Sequence, residues 1–181
     1  MDGQTLDEVW TSLSTNQCVQ IAGEVAKYCK ELALITSKRL TTATEHGVIE
    51  PFLTVYPPDI EPSWRPQILG PYTSDQLRSY LSGSAEWDGH TELFYFYHAD
   101  LGPTNIVIEN GSIAGIIDWE SAAYYPRFWL GTKPCVSAGF YLQIARAEKR
   151  AWASLLEQSL EREGFPPDME TYQMWRKAVE R

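Results

Sequence analysis

Apolar residues recur at helical spacing toward both ends of the chain and at strand spacing only near its centre. Leu6, Val9, Trp10 and Leu13 fall at i, i+3, i+4 and i+7, which predicts a short amphipathic helix over about 5–13. Ser14 followed by Gln17 is a capping-box pattern. The helix it opens, about 16–35, puts Val19, Ala22, Val25, Ala26, Cys29, Leu32 and Ala33 on one face, and that stripe reads as core. A second capping box, Thr73 to Gln76, starts a helix with Leu77, Tyr80 and Leu81 along its apolar edge, stopped by Gly83. Pro134 reads as the first position of a helix over about 134–147. Another helix, about 148–163, ends at Gly164, and Asp168 caps a last one carrying Met169, Tyr172, Trp175 and Val179.

The segment 36–72 shows little periodicity and is punctuated by Pro and Gly, which predicts a long loop with a short extended piece near 48–56. Tyr56 and Trp64 would either line a pocket or pack that loop down; His46 and His90 read as surface residues, and Tyr124 to Trp129 as an aromatic cluster on a loop. Strands are expected at Leu93 to Tyr97, Ile106 to Glu109 and Ser112 to Ile117. Asn110-Gly111 joins the last two, and both central residues of a type I′ turn need positive φ, which Asn-Gly supplies. With those two in the turn, Glu109 faces Ser112, Asn105 faces Ile116, and Asp118 lies diagonal to Asn105 at about 7–8 Å on the same face.

Composition narrows the class. The 181 residues suit one domain, 1–181, and the 44% hydrophobic content suits a packed core. The net charge is −9, with acidic residues in excess over the first three quarters of the chain. Such a surface repels nucleic acid and anionic membranes and favours a neutral or cationic small molecule. Cys18, Cys29 and Cys135 have no ligand spacing and read as reduced cytosolic thiols packed as small hydrophobes. The opening MDGQTLDEVW has no signal-peptide pattern and no apolar run reaches membrane length, so the expected location is cytoplasmic.

The chemistry concentrates in Phe94 to Glu120. His98, Asp100 and Asn105 lie on the loop into the hairpin and Asp118 on its exit. Hard cations take carboxylate, amide and phosphate oxygens, so Asn105 with Asp118 suits a magnesium carried by a nucleotide phosphate. Asp100 is then free to act as base toward an incoming hydroxyl, a division of labour that fits phosphoryl transfer. Singly, Asp and Asn before a hairpin are more often turn formers; together, at this spacing, they point to a site.

His98-Ala99-Asp100-Leu101-Gly102-Pro103-Thr104-Asn105, followed after the hairpin by Ile116-Ile117-Asp118-Trp119-Glu120, resembles the catalytic and metal-binding segments of the aminoglycoside phosphotransferase family. More distantly it is similar to the H-R-D-x-x-x-x-N and D-F-G segments of protein kinases. The resemblance implies Asp100 as catalytic base, Asn105 and Asp118 as holders of Mg2+ and its ATP, His98 as a structural brace of the loop, and Trp119 beside the metal-binding Asp. It runs over about 1–145, strongly at 94–130, where Tyr125-Pro126-Arg127-Phe128-Trp129 is similar to fungal members. The implied fold is α+β and predominantly helical: the C-terminal lobe of the protein-kinase-like fold, with a small β-hairpin insert carrying the site.

The family's N-terminal lobe brings a nucleotide-covering loop and a phosphate-contacting Lys, and nothing in the chain corresponds to it: there is no G-x-G-x-x-G and no G-x-x-x-x-G-K-[ST], and Lys27 and Lys30 sit on a helix. Three functions are therefore carried forward. The first is an ATP-dependent phosphotransferase acting on a hydroxyl of a small molecule. The second is a non-catalytic, pseudokinase-like module or a truncated fragment, with a partner at the face left by the absent lobe. The third, ranked last, is a hydrolase using Asp100 and Asp118 as a carboxylate pair.

Overall fold

The computed structural model describes residues 3–54, 67–81, 91–144 and 148–179. Their order is β1 Gln4–Thr5, α1 Leu6–Val9, α2 Thr15–Leu32, β2 Thr36–Ser37, β3 Arg39–Thr42, β4 Val48–Ile49, β5 Ile68–Leu69, β6 Tyr72–Thr73, α3 Ser74–Leu81 and β7 Phe94–Tyr97. Then follow β8 Ile106–Glu109, β9 Ser112–Ile116, β10 Ala123–Pro126, α4 Arg127–Val136, α5 Ala151–Arg162 and α6 Met169–Val179. The described residues are mixed α/β, 47% helical with 3-10 turns counted and 20% strand.

Local chemistry sets the helix starts as expected. Ser14 and Gln17 satisfy each other's backbone N–H groups at the head of α2, and Thr73 and Gln76 do the same at the head of α3. Asp168 Oδ1 accepts the Thr171 N–H at 2.9 Å and so caps α6. Gly164 ends the α5 region at φ +94°. The buried face of α2 is Cys18, Ile21, Ala22, Val25, Ala26 and Cys29; Val19, expected on that face, is 39% exposed. The first helix is shorter than expected: α1 stops at Val9 and gives way to a 3-10 turn over Trp10–Ser12.

Three expectations are corrected. The supposed loop after α2 contains β2 and β3, which join β7, β10 and β6 in a five-stranded antiparallel sheet of order β2-β7-β10-β3-β6. The Tyr124-Tyr125-Pro126 stretch is not a loop but β10, paired on both sides with β7 and β3. Pro134 does not open a helix; it sits in the last turns of α4, which begins at Arg127 directly after Pro126. The β structure is therefore more than one hairpin. Tyr56, Trp64, Gly83 and His90 lie outside the described residues; His46 is exposed.

The core lies where α5 packs between α2 and α4, which themselves rest on β7 and β10. Trp129, Trp152 and Trp175 are fully buried, and each indole N–H has a partner: Glu50 Oε2 at 3.2 Å, the Leu101 carbonyl at 2.9 Å and the Leu53 carbonyl at 2.8 Å. Burying an aromatic side chain removes about 150–250 Å² from water, an upper bound of roughly 4–6 kcal/mol each at about 25 cal/mol per Å². Glu50 and Lys133 form an ion pair of 2.6 Å sealed from solvent, with Lys133 Nζ also 5.0 Å from the Phe52 ring centroid. That pair fastens the turn after β4 to α4. Among the described residues no helix is long and apolar enough to cross a membrane.

Candidate active site

β7 delivers the chain to the site from the middle of the sheet and β8 carries it away in the hairpin, so residues 98–105 are a loop held at both ends. Ala99 turns the chain with φ +62°, a left-handed conformation that costs a residue with a Cβ roughly 1–2 kcal/mol. Five of the loop's carbonyls have identified donors. Asp100 O accepts from Asn105 Nδ2 at 2.9 Å, Leu101 O from Trp152 Nε1 at 2.9 Å, Gly102 O from Asn105 N at 3.0 Å and Pro103 O from Asp7 N at 3.1 Å. Asn105 O accepts from Ile117 N at 3.0 Å, which ties the loop to the far strand.

Asn105 is the hinge of this arrangement. Its Nδ2 also donates to Asp100 Oδ2 at 3.0 Å, so both amide protons are spent on Asp100. Its Oδ1 accepts no hydrogen bond among the described residues. Asp100 Oδ1 is left facing Gly139, where a Cβ would stand 3.6 Å from it. One oxygen of the carboxylate is clamped and the other is left for chemistry.

His98 is completely buried beneath the loop. Its Nδ1 accepts the Asp100 N–H at 3.3 Å, which requires that nitrogen to be unprotonated, so Nε2–H is the donor to the Ile117 carbonyl at 3.0 Å. Burial holds its pKa below the ordinary 6.5, against the Ile117 hydrogen bond and the charges of Asp100 and Asp118, which pull it upward. The ring is thus a neutral strut joining the loop to the hairpin exit. Trp119 meets it edge-on at 4.6 Å and anchors its own indole N–H on the Ile116 carbonyl at 2.9 Å.

The hairpin turn is as expected: Asn110 and Gly111 have φ +52° and +78°, and Glu109 faces Ser112. The register beyond it is not. Val107 pairs with Gly115 but Ile108 with Ile113, so Ala114 is an extra, bulged residue and Ile116 faces Ile106 rather than Asn105. Asn105 therefore meets Ile117, and Asp118 is one residue past that partner instead of two. Asp118 leaves the strand with φ +61° and ψ +65°, a conformation Asp tolerates better than most residues, and it is solvent-exposed. A bulge beside a site re-aims the residues that follow it.

Among the described residues no three His, Cys, Asp or Glu side chains cluster to hold a metal. The donor set at hand is an amide oxygen, Asn105 Oδ1, and one exposed carboxylate, Asp118. That set fits Mg2+, which keeps several waters and is commonly held by one or two carboxylates together with substrate phosphates. It does not fit zinc, which takes four protein donors or three with an open position.

Trp152, Asp7 and the Gly102–Gly139 contact escape the sequence reading. A Cβ on Gly102 would collide with the Gly139 carbonyl oxygen, so the 3-10 turn Ala138–Phe140 lies directly against the loop. Asp7 Oδ1 accepts the Gln143 N–H at 2.7 Å while its own N–H holds Pro103. Only its burial distinguishes Asp7, and burial is invisible in a helix whose stripe is formed by Leu6, Val9 and Trp10. Beside Trp119, an apolar groove of about 420 Å³ runs between Tyr28 and Leu32 of α2 and Ile113 to Ile116 of the hairpin.

Compared with known proteins, residues 1–129 match the family model described as the phosphotransferase enzyme family. No curated protein matches the chain.

Proposed function

The chain belongs to the phosphotransferase enzyme family, a family of kinase-like fold, and from that premise we propose that it transfers a phosphoryl group from ATP to a hydroxyl of a small molecule. On this reading the described elements are the catalytic, C-terminal lobe of that fold, with the β8–β9 hairpin carrying the site. The observation that supports it most is the use of Asn105: its amide nitrogen is spent on Asp100 and its oxygen is left for a cation.

When bound, Mg-ATP would supply the electrophilic phosphorus and neutralise the charge that gathers on the phosphate oxygens. Asp118 and Asn105 Oδ1 would hold the cation. Asp100 Oδ1 would accept the acceptor's hydroxyl proton while Asn105 keeps Oδ2 in place. His98 would fix the distance between the base and the metal ligand, since one ring touches the backbone on both sides. The chain's acidic balance favours a cationic or neutral acceptor.

Isothermal titration of Mg-ATP into the protein and into Asp118→Ala tests the binding step: heat in the first and little in the second is expected, and no heat in either removes ATP. Transfer of labelled phosphate to a panel of amines and polyols bearing hydroxyls tests the chemistry. The second reading, a binding module without turnover, draws on the apolar groove beside Trp119, a surface that phosphate chemistry does not require and a partner would. Mg-ATP binding with no transfer to any acceptor would favour it.

A further inference from the structure

The match to the family ends at residue 129, yet one of the bonds that shape the candidate catalytic loop comes from beyond it. Trp152, in the first turn of α5, donates its indole N–H to the Leu101 carbonyl at 2.9 Å. Leu101 follows Asp100 directly, and both it and Trp152 are shut off from water. In that setting the Leu101 carbonyl has no water to fall back on. A buried carbonyl that loses its donor is more costly than an ordinary exposed one, and the loop would move to recover a partner.

Four other carbonyls of the loop are satisfied from within residues 1–129: Asp100 and Gly102 by Asn105, Pro103 by Asp7, Asn105 by Ile117. Leu101 alone among these looks to the C-terminal helices. Trp10 packs edge-on against Trp152 at 6.4 Å, which fixes the plane of the indole and so the direction of its N–H. We propose that Trp152 is a positioning residue for Asp100: it sets the carboxylate's height over the loop by holding the next carbonyl. α5 thereby completes a site whose motif lies wholly elsewhere. The inference rests on the phosphotransfer reading for the role of Asp100, but the geometry it asserts is testable without turnover.

Trp152→Phe removes the donor and keeps an aromatic ring. Trp175→Phe is the matched control, because it deletes an equally buried indole donor, to Leu53, away from the loop. Hydrogen exchange followed by mass spectrometry should show faster exchange at 98–105 in Trp152→Phe, at least tenfold, with no such change there in Trp175→Phe. If the wild type transfers phosphate, Trp152→Phe should lower kcat about tenfold with KM for Mg-ATP within twofold, the scale of one hydrogen bond. Unchanged exchange at 98–105, an equal rise there in the control, or a fall in affinity with kcat preserved would overturn the proposal. A wild type that never transfers phosphate sinks the functional reading instead, and the exchange result still decides the positioning role. Should Trp152→Phe not fold, native-state exchange on the wild type takes its place. The Trp152 indole N–H and the Asn105 amide should open with one shared free energy; an Asn105 amide that opens while the indole N–H stays protected overturns the proposal.

Discussion

Asn105 Nδ2 lies 2.9 Å from the Asp100 carbonyl oxygen and 3.0 Å from Asp100 Oδ2, so one amide group grips both the backbone and the carboxylate of the same residue. The residue assigned to the metal is therefore also the clamp on the residue assigned to the proton. The sequence pattern treats the two roles as separable; the geometry couples them through Asn105, and Asp118 is the candidate ligand outside that coupling.

This coupling orders a set of variants. Asp100→Asn should lower turnover by about 10²–10⁴-fold, the usual range for a general base, and leave Mg-ATP affinity within a few fold. Asp118→Asn should weaken binding, because on the proposed reading it removes the charge that Asp118 would offer the cation. Asn105→Ala should do both, losing the oxygen that holds metal and the amide that holds Asp100. Titration calorimetry and a transfer assay on the three proteins check this, and equal loss of binding in Asp100→Asn and Asp118→Asn contradicts it.

How much of this could be read from residues alone follows the range of the interactions. The Asn110-Gly111 turn, the caps at Ser14, Thr73 and Asp168, and the break at Gly164 are made within four residues, and all are present. β10 is not legible locally because its neighbours β7 and β3 come from distant parts of the chain; its Pro126 is tolerated because it ends the strand and leads into α4. Arg39–Thr42 did carry a signal, two Thr in succession, but one too short to stand against the surrounding Pro and Gly. Pro134 misleads because proline is favoured in the first turn of a helix; here it lies near the end of α4 and lacks the N–H that would reach the Leu130 carbonyl. The bulge at Ala114 leaves no mark in an apolar run, yet it shifts Asp118 by one residue relative to Asn105.

His98 gives the site a pH dependence. Its folded pKa lies below the unfolded 6.5, so the unfolded chain takes up the proton first as pH falls. The stability it contributes is complete above about 6.5 and is lost as the pH drops through the depressed folded value. Protonation of Nδ1 also ends its bond from Asp100 N–H. Urea unfolding between pH 7.5 and 5 should show the wild type losing stability faster than His98→Gln. Parallel curves for the two proteins would remove His98 from the account.

The buried Glu50–Lys133 pair should be far more costly to break than to replace. Lys133→Met leaves a carboxylate sealed in the core and should cost about 3–5 kcal/mol, whereas the double variant Glu50→Leu with Lys133→Met should recover much of that loss. Recovery will be incomplete, because Trp129 Nε1 also donates to Glu50 Oε2 and is left without an acceptor. A double-mutant cycle by denaturant unfolding measures the coupling; additive losses would show that the pair does not act as a unit.

Two glycines that face each other across the site should respond differently to the same methyl group. A Cβ at Gly102 meets the Gly139 carbonyl oxygen, a backbone atom that cannot swing aside, so Gly102→Ala must push the loop away from the Ala138–Phe140 turn. Overpacking of this kind typically costs about 1–3 kcal/mol, and Asp100 moves with the loop, so both stability and turnover should fall. A Cβ at Gly139 instead meets Ser137 Oγ at 3.3 Å and Asp100 Oδ1 at 3.6 Å, a tight contact with the hydroxyl that accepts the Gly139 N–H, which must give by a few tenths of an ångström, and an ordinary one with the carboxylate. Gly139→Ala should then stay within about 0.5 kcal/mol of the wild type while crowding the oxygen that receives the proton, so turnover falls with stability preserved. Thermal unfolding and the transfer assay, run together on both variants, separate the two effects. A Gly139→Ala protein that keeps full turnover would mean that Asp100 Oδ1 does not face the acceptor from that side.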